Sequence, residues 1–490
     1  MRVGRGPRRR FAGSAGSGPG AILAALLAAL LAGSLAACGS PLSGTSGSRS
    51  APRSATLAAS PAASTPAVAQ VGATATPIGT DPRSTASAGG WGSPSTSAPA
   101  ATATPSPSGP TPSSSPGSTP SSVPAQPSLS PSTARALSAT FTAAARRLGV
   151  PGVQATVLFA DGQTWQGAYG YADLKTRRAI TSADVFDVGS ITKTFVAAEV
   201  LELVAAGRLG LDDHLSEWLA GLPDANQITI RQLLSHTSGL ADYLENPKLL
   251  RAIDAEPARR WTPGQLLAYI GRPLFRPGSD WRYSNSNFLV LGIIAATVEG
   301  RPLAKALEDR FLVPLELGRT ALQSPTVSAA ASVGGPAALP YARTGGSRTA
   351  VVSLGDGSAY LPYASLGTAL STAGALISDS TDLARWAAAL YGGQVLPPTL
   401  LATMTDDAVS KPFHPDRDYA LGTELKRLAG LATLGHSGAC SGYRSAMRYV
   451  PALGATVVVL VNEEVLDPDT VTTALIATLQ RLGPGSGRAV

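Results

Sequence analysis

Cysteine is almost missing from this chain: Cys38 and Cys440 are the two in 490 residues. No disulfide framework can therefore hold the fold. Histidine is nearly as scarce, and its four copies, His214, His236, His414 and His436, stand far apart without the spacing that a metal site draws on. Neither a metal nor a cofactor is expected, because Gly-x-Gly-x-x-Gly and Walker patterns are absent too. Charge is thin at 14% of residues, and the net +7 is covered by five arginines in the first ten residues plus a net two from Arg49, Arg53, Arg83 and Asp81. The remainder is neutral, which excludes the basic stripe of a nucleic-acid partner.

What is present begins with an Arg-rich start and a run from Ala21 to Ala37 that is almost wholly Ala and Leu. Residues 1–37 read as an export signal. Leu35-Ala36-Ala37-Cys38 resembles a bacterial lipobox, which implies a lipidated Cys38, a membrane partner through that lipid only, and a domain facing the extracytoplasmic side. The alternative, an uncleaved N-terminal anchor, is a little short for a bilayer. Residues 38–132 form the next segment, and 17 of the 39 prolines fall between Gly39 and Ser132, among Ala, Ser and Thr. Such a composition buries too little apolar surface to fold and predicts a disordered linker, about 55 Å from end to end as a coil. Residues 133–490 are left for one globular domain, or two lobes sharing a cleft.

The domain opens with an amphipathic helix over 133–148. Two alternating strands, 153–159 and 163–171, then flank Asp161-Gly162, a hairpin signal. From Ile191 to Leu312 the pattern is mostly helical, with Thr262-Pro263 starting one helix and Gly300 ending another over 287–299. A less regular stretch, 318–370, precedes a helix over 381–391. Strands follow at 430–436, 443–450 and 455–461, and a last helix covers 469–482. The fold class is α+β: one antiparallel sheet built from both termini, flanked by helices, with an all-helical lobe inserted.

Three short constellations carry chemistry. Ser190-Ile191-Thr192-Lys193 enters a helix after Gly189, so the amine sits one turn along on the hydroxyl's face. The apolar helix that follows would keep that amine buried and neutral, as a base requires, although a helix-capping or solvated lysine has the same spacing. Tyr283-Ser284-Asn285 lies in a turn before a helix, where a tyrosine can move protons or simply pack. His436-Ser437-Gly438 ends a predicted strand and would present an edge whose main-chain amides could bind an oxyanion, although a strand-end histidine is usually structural. A Gly-x-Ser-x-Gly elbow is not matched, since Gly435-His436-Ser437-Gly438-Ala439 fails at its last position. Cys440 reads as a small buried residue, and His236 as support for a turn.

Together, and in this order, the three motifs resemble those of the penicillin-recognising serine hydrolases, in the branch of class C beta-lactamases, DD-carboxypeptidases, esterases and D-aminopeptidases. The segments from Leu233 to Leu240, Tyr283 to Phe288 and Ala373 to Ser378 are similar to that family's text, and the likeness spans Thr133 to Leu482. It implies Ser190 as nucleophile of an acyl-enzyme, Lys193 and Tyr283 sharing base and acid roles, and Asn285 bonding the substrate amide or Lys193. It implies an oxyanion hole from the main-chain amides of Ser190 and Ala439, with His436, Ser437 and Gly438 beside the substrate. His436 stands where beta-lactamases usually carry lysine, and a neutral imidazole attracts a carboxylate less. The expected activity is DD-carboxypeptidase-like or esterase-like on a small peptide, amide or ester. A non-catalytic penicillin- or wall-peptide-binding sensor and a true beta-lactamase are the alternatives. Which residue takes the serine proton, and the oligomeric state, stay open.

Overall fold

The computed structural model describes residues 129–343, 351–406 and 417–483. The expected export signal, Cys38 and nearly all of the linker lie outside these residues. The folded part starts where Ser130 caps helix α1 (Pro131–Leu148) by accepting the Thr133 N–H at 3.2 Å, and Gly149 ends it in the left-handed region. The buried face of α1, Leu137, Phe141, Ala144 and Ala145, recurs at helical spacing. It packs on strand β1 (Gly152–Leu158) and on β2 (Thr164–Asp173), which Asp161-Gly162 joins in a hairpin.

Eight strands form one antiparallel sheet among the described residues, in the order β3-β2-β1-β13-β12-β11-β10-β9. The outer strands are β3 (Arg178–Ala179) and β9 (Arg417–Tyr419). Between them run β10 (Glu424–Leu428), β11 (Leu431–Cys440), β12 (Tyr443–Val450) and β13 (Ala455–Val461). The first and last long strands are neighbours: Val153 pairs with Val461 and Val157 with Val457. All of β13 is buried because both faces are covered. Val457, Val459 and Val461 point to α1 and the closing helix α7 (Asp469–Leu482), while Val458 and Leu460 point to the main core.

The stretch from Ile191 to Leu312 forms no strand, as expected of the inserted lobe. Its two longest helices, α2 (Thr192–Ala205) and α4 (Asn285–Glu299), are apolar nearly all round and lie in the core, with short α3 (Ile230–Leu234) between them in sequence. Helix α5 (Ala364–Gly374) and helix α6 (Ser380–Tyr391) complete the surroundings, and Trp386 of α6 stacks on Phe195 of α2 at 3.9 Å between ring centres. A second small sheet, β4 (Phe186–Asp187), β8 (Leu376–Ser378) and β5 (Ala321–Leu322), fixes where α2 begins. Val188 N donates to Leu376 O at 3.0 Å, and Leu376 N donates to Thr192 Oγ1 at 3.0 Å. The stretch 318–370 also holds the antiparallel pair β6 (Tyr341–Arg343) and β7 (Val351–Ser353).

Two expectations are corrected. His436 does not end a strand but lies inside β11, which continues to Cys440. Nor is β11 an edge strand, since β10 and β9 lie outside it. The pairing with β10 stops at Gly435, however, so the half of β11 from His436 onward has an open side.

Candidate active site

That open side meets the turn before α2. Gly189 has φ +52, and a Cβ there would sit 2.7 Å from Ala439 N; one on Gly438 would sit 2.0 Å from Val188 O. Both glycines are required by this backbone approach, which brings the amides around Ser190 and Ala439 together. Ser445 Oγ also donates to Val188 O at 2.9 Å, and Asp187 Oδ1 accepts from Gly189 N at 2.8 Å. Burial pushes the Asp187 carboxyl well above its ordinary pKa, beside the equally buried and inert Cys440 thiol. Because the clash is with the Ala439 backbone, Gly189→Ala is expected to lower stability and, by displacing the Ala439 amide, to slow acylation by about 10²-fold, the effect of losing one oxyanion donor. Burst kinetics with a chromogenic ester would measure it.

Ser190 Oγ lies 2.9 Å from Lys193 Nζ and accepts from Tyr283 OH at 2.7 Å. The lysine is fully buried. Its amine donates to Asn285 Oδ1 at 2.8 Å and to the Ala373 carbonyl at 2.7 Å. Those two oxygens can only accept, so a neutral amine spends both N–H groups on them and aims its lone pair at Ser190. Burial lowers the Lys193 pKa from 10.5 to about 7, against the opposing pull of Asp242 and Glu424. Lys193 Nζ also lies 4.8 Å from the centre of the Tyr283 ring.

Asn285 opens α4 rather than preceding it. Its side-chain amide donates to Asp242 Oδ2 at 2.8 Å and its backbone N–H to the same oxygen at 3.1 Å, which turns Oδ1 toward the lysine. Asp242 is buried, and burial raises its pKa. The neighbouring Tyr243 donates to Ala369 O at 2.7 Å, tying this loop to α5.

The third motif is set differently from the first two. His436 is 1% exposed; its Nδ1 lies 2.6 Å from Ser437 O and its Nε2 lies 3.1 Å from Tyr419 OH. Burial lowers its pKa to about 4, so it is neutral at pH 7. Ser437 Oγ donates to Glu424 Oε2 at 2.9 Å and accepts from Arg448. Both side chains are engaged within the protein. Ala439, by contrast, is exposed beside Gly189.

Comparison with known proteins agrees with this geometry. Residues 137–481 match the family described as Beta-lactamase. The chain belongs to that family. Penicillin-binding protein 4* of Bacillus subtilis is 29% identical over 174 residues, 34% of this chain and 37% of the relative. A D-aminopeptidase of Brucella anthropi is 34% identical over 164 residues, 33% of this chain and 31% of the relative. The chain thus spans about a third of the length of these two curated relatives. A crystal structure of a D-stereospecific amidohydrolase from Streptomyces sp. superposes with a TM-score of 0.58 at 31% identity, covering 70% of this chain and 97% of that one. The chain therefore has the α+β fold of the Beta-lactamase family.

Sequence reasoning missed three groups that surround the site. The Ala373 carbonyl has no side-chain signature. Asp242 lies in no recognised motif, though it follows the Leu233–Leu240 segment by two residues. Glu424 belongs to a strand too polar to be read as one.

Proposed function

We propose that this chain hydrolyses small amides or peptides through an acyl-Ser190 intermediate. The observation that carries the reading is the buried Lys193 amine, 2.9 Å from Ser190 Oγ, with its other two directions taken by acceptors. Lys193 takes the hydroxyl proton as Ser190 Oγ bonds to the acyl carbon. The Ser190 and Ala439 amides hold the oxyanion, and Tyr283 passes the proton from Lys193 to the leaving nitrogen as the C–N bond breaks. Water then enters by the reverse proton route and releases the acid.

The substrate end near the third motif is uncharged in this reading. His436 is neutral and Arg448 is spent on Glu424 and Asp469, so neither attracts a carboxylate. That favours amidase, aminopeptidase or esterase chemistry over DD-carboxypeptidase or beta-lactamase activity, and the names of the D-aminopeptidase and amidohydrolase relatives point the same way. A panel of a D-amino-acid amide, a p-nitrophenyl ester, nitrocefin and an acyl-D-Ala-D-Ala peptide with and without its terminal carboxylate tests this, with Ser190→Ala as control. Covalent labelling by a fluorescent penicillin without turnover of any member would establish the sensor instead. Because the neutral amine is the competent form, kcat/KM for an uncharged substrate is expected to rise with pH through about 7 and then level off. A flat profile from pH 5.5 to 8.5 would exclude Lys193 as the base.

We extend the proposal to location: lipidated Cys38 holds the domain on the outer face of the cytoplasmic membrane through the 38–132 linker. Cys38→Ser is then expected to move the protein from the membrane fraction to the soluble one.

A further inference from the structure

We propose that His236 is a positioning residue for Tyr283, setting the phenol against Ser190 from both sides of its backbone. His236 follows α3 with φ +60, a conformation uncommon outside glycine but one that histidine adopts more readily than most residues. That conformation directs two of its acceptors at the segment carrying Tyr283. The His236 carbonyl accepts the N–H of Arg282 at 3.1 Å, and its Nδ1 accepts the N–H of Ser284 at 3.2 Å. The residues before and after Tyr283 are thus tied through their N–H groups to one residue. The imidazole also packs on the phenol ring, with 4.3 Å between centres and planes 38° apart.

The tautomer follows from the partners. Ser238 Oγ accepts from Leu240 N at 3.1 Å and donates to Asn287 Oδ1 at 2.6 Å, which fixes the Asn287 amide. The Asn287 Nδ2 group therefore points at His236 Nδ1, at 2.9 Å. With two donors on Nδ1, the ring proton sits on Nε2 and the imidazole is neutral. Burial, reinforced by Lys193 and His436, holds its pKa well below 6.5. His236 touches Ser190 only by way of Tyr283, and its ring also packs on Tyr419 at 4.7 Å and on Phe288 at 5.4 Å between centres.

The proposal rests on the reading of Tyr283 as a proton carrier, and a double-mutant cycle tests it. His236→Ala is expected to slow acylation by a fluorescent penicillin or a p-nitrophenyl ester about 10- to 100-fold with KM nearly unchanged. In a Tyr283→Phe background the same substitution is expected to change the rate less than 2-fold. His236→Asn, which keeps an acceptor and tolerates positive φ, is expected to recover part of the loss. Equal losses in both backgrounds, or no loss in the wild type, would overturn the proposal. A readout independent of activity is the ring carbon NMR signal of Tyr283, assigned by Tyr283→Phe. It is expected to shift or broaden in His236→Ala, and an unchanged signal counts against the proposal even if no substrate is ever turned over. Should wild-type Ser190 take no acyl group while the signal moves, the hydrolase reading fails and the positioning role stands.

Discussion

Methionine in place of Lys193 is expected to slow acylation of Ser190 by about 10⁴-fold, the upper end of what a general base contributes. Methionine can occupy the buried space of the aliphatic stem but brings neither a basic lone pair for Ser190 nor donors for Asn285 and Ala373. The effect on stability is expected to be small, for reasons of magnitude. Holding the amine at a pKa of about 7 rather than 10.5 costs about 5 kcal/mol at about 1.4 kcal/mol per pH unit. Removing it relieves that cost but leaves two buried carbonyl oxygens unpaired, at about 1–3 kcal/mol each. The two nearly cancel. Their pH dependence does not: the folded chain binds fewer protons than the unfolded one between pH 7 and 10.5, so Lys193 adds stability as pH rises through that window. Below pH 7 both states carry the proton and the contribution stays at its lowest. Urea unfolding at pH 6.5 and 9.5 is therefore expected to show the wild type gaining on Lys193→Met. A difference independent of pH would mean that the amine is charged in the folded protein.

The second large effect lies beneath the third motif. Arg448 is fully buried, with Nη2 2.9 Å from Glu424 and 3.6 Å from Asp469, and Lys426 meets Asp469 at 2.6 Å. Arg448→Met leaves two buried carboxylates with one cation, which costs about 3–5 kcal/mol. The midpoint in urea should fall accordingly. Adding Glu424→Gln removes the stranded charge and is expected to return much of that loss; a double variant no more stable than the single one would show that Glu424 is already neutral. Activity is expected to fall as well, because Glu424 Oε2 also holds the Ser437 amide at 3.1 Å, two residues before Ala439.

The sequence revealed those parts of the site whose chemistry resides in side chains at fixed spacing. Ser190 and Lys193 share a helix face, and Tyr283 and Asn285 stand at a helix start, so local geometry announces them. Strands β12 and β13 were legible to the residue, because apolar alternation and turn glycines bound them. Strand β10 was not: Glu424-Leu425-Lys426-Arg427-Leu428 alternates poorly, and its buried Glu424 makes sense only with Arg448 opposite. Strands β4, β5 and β8 are too short for any period to show. The sequence suggests a strand end at His436, short of Gly438. The glycine is instead where β11 passes Val188 too closely for a side chain. His236 was seen as a turn residue, and its hold on Tyr283 appears only when its own φ is known.

The antiparallel sheet has a temporal side. Ser190 leaves the ribosome about 250 residues before Gly438 and Ala439, and β1 must wait still longer for β13, its neighbour in the finished sheet. A nascent or half-threaded chain therefore carries Ser190 without the strand that brings Ala439 beside it. On the proposed function, a chain stopped anywhere before β11 is expected not to take up an acyl group.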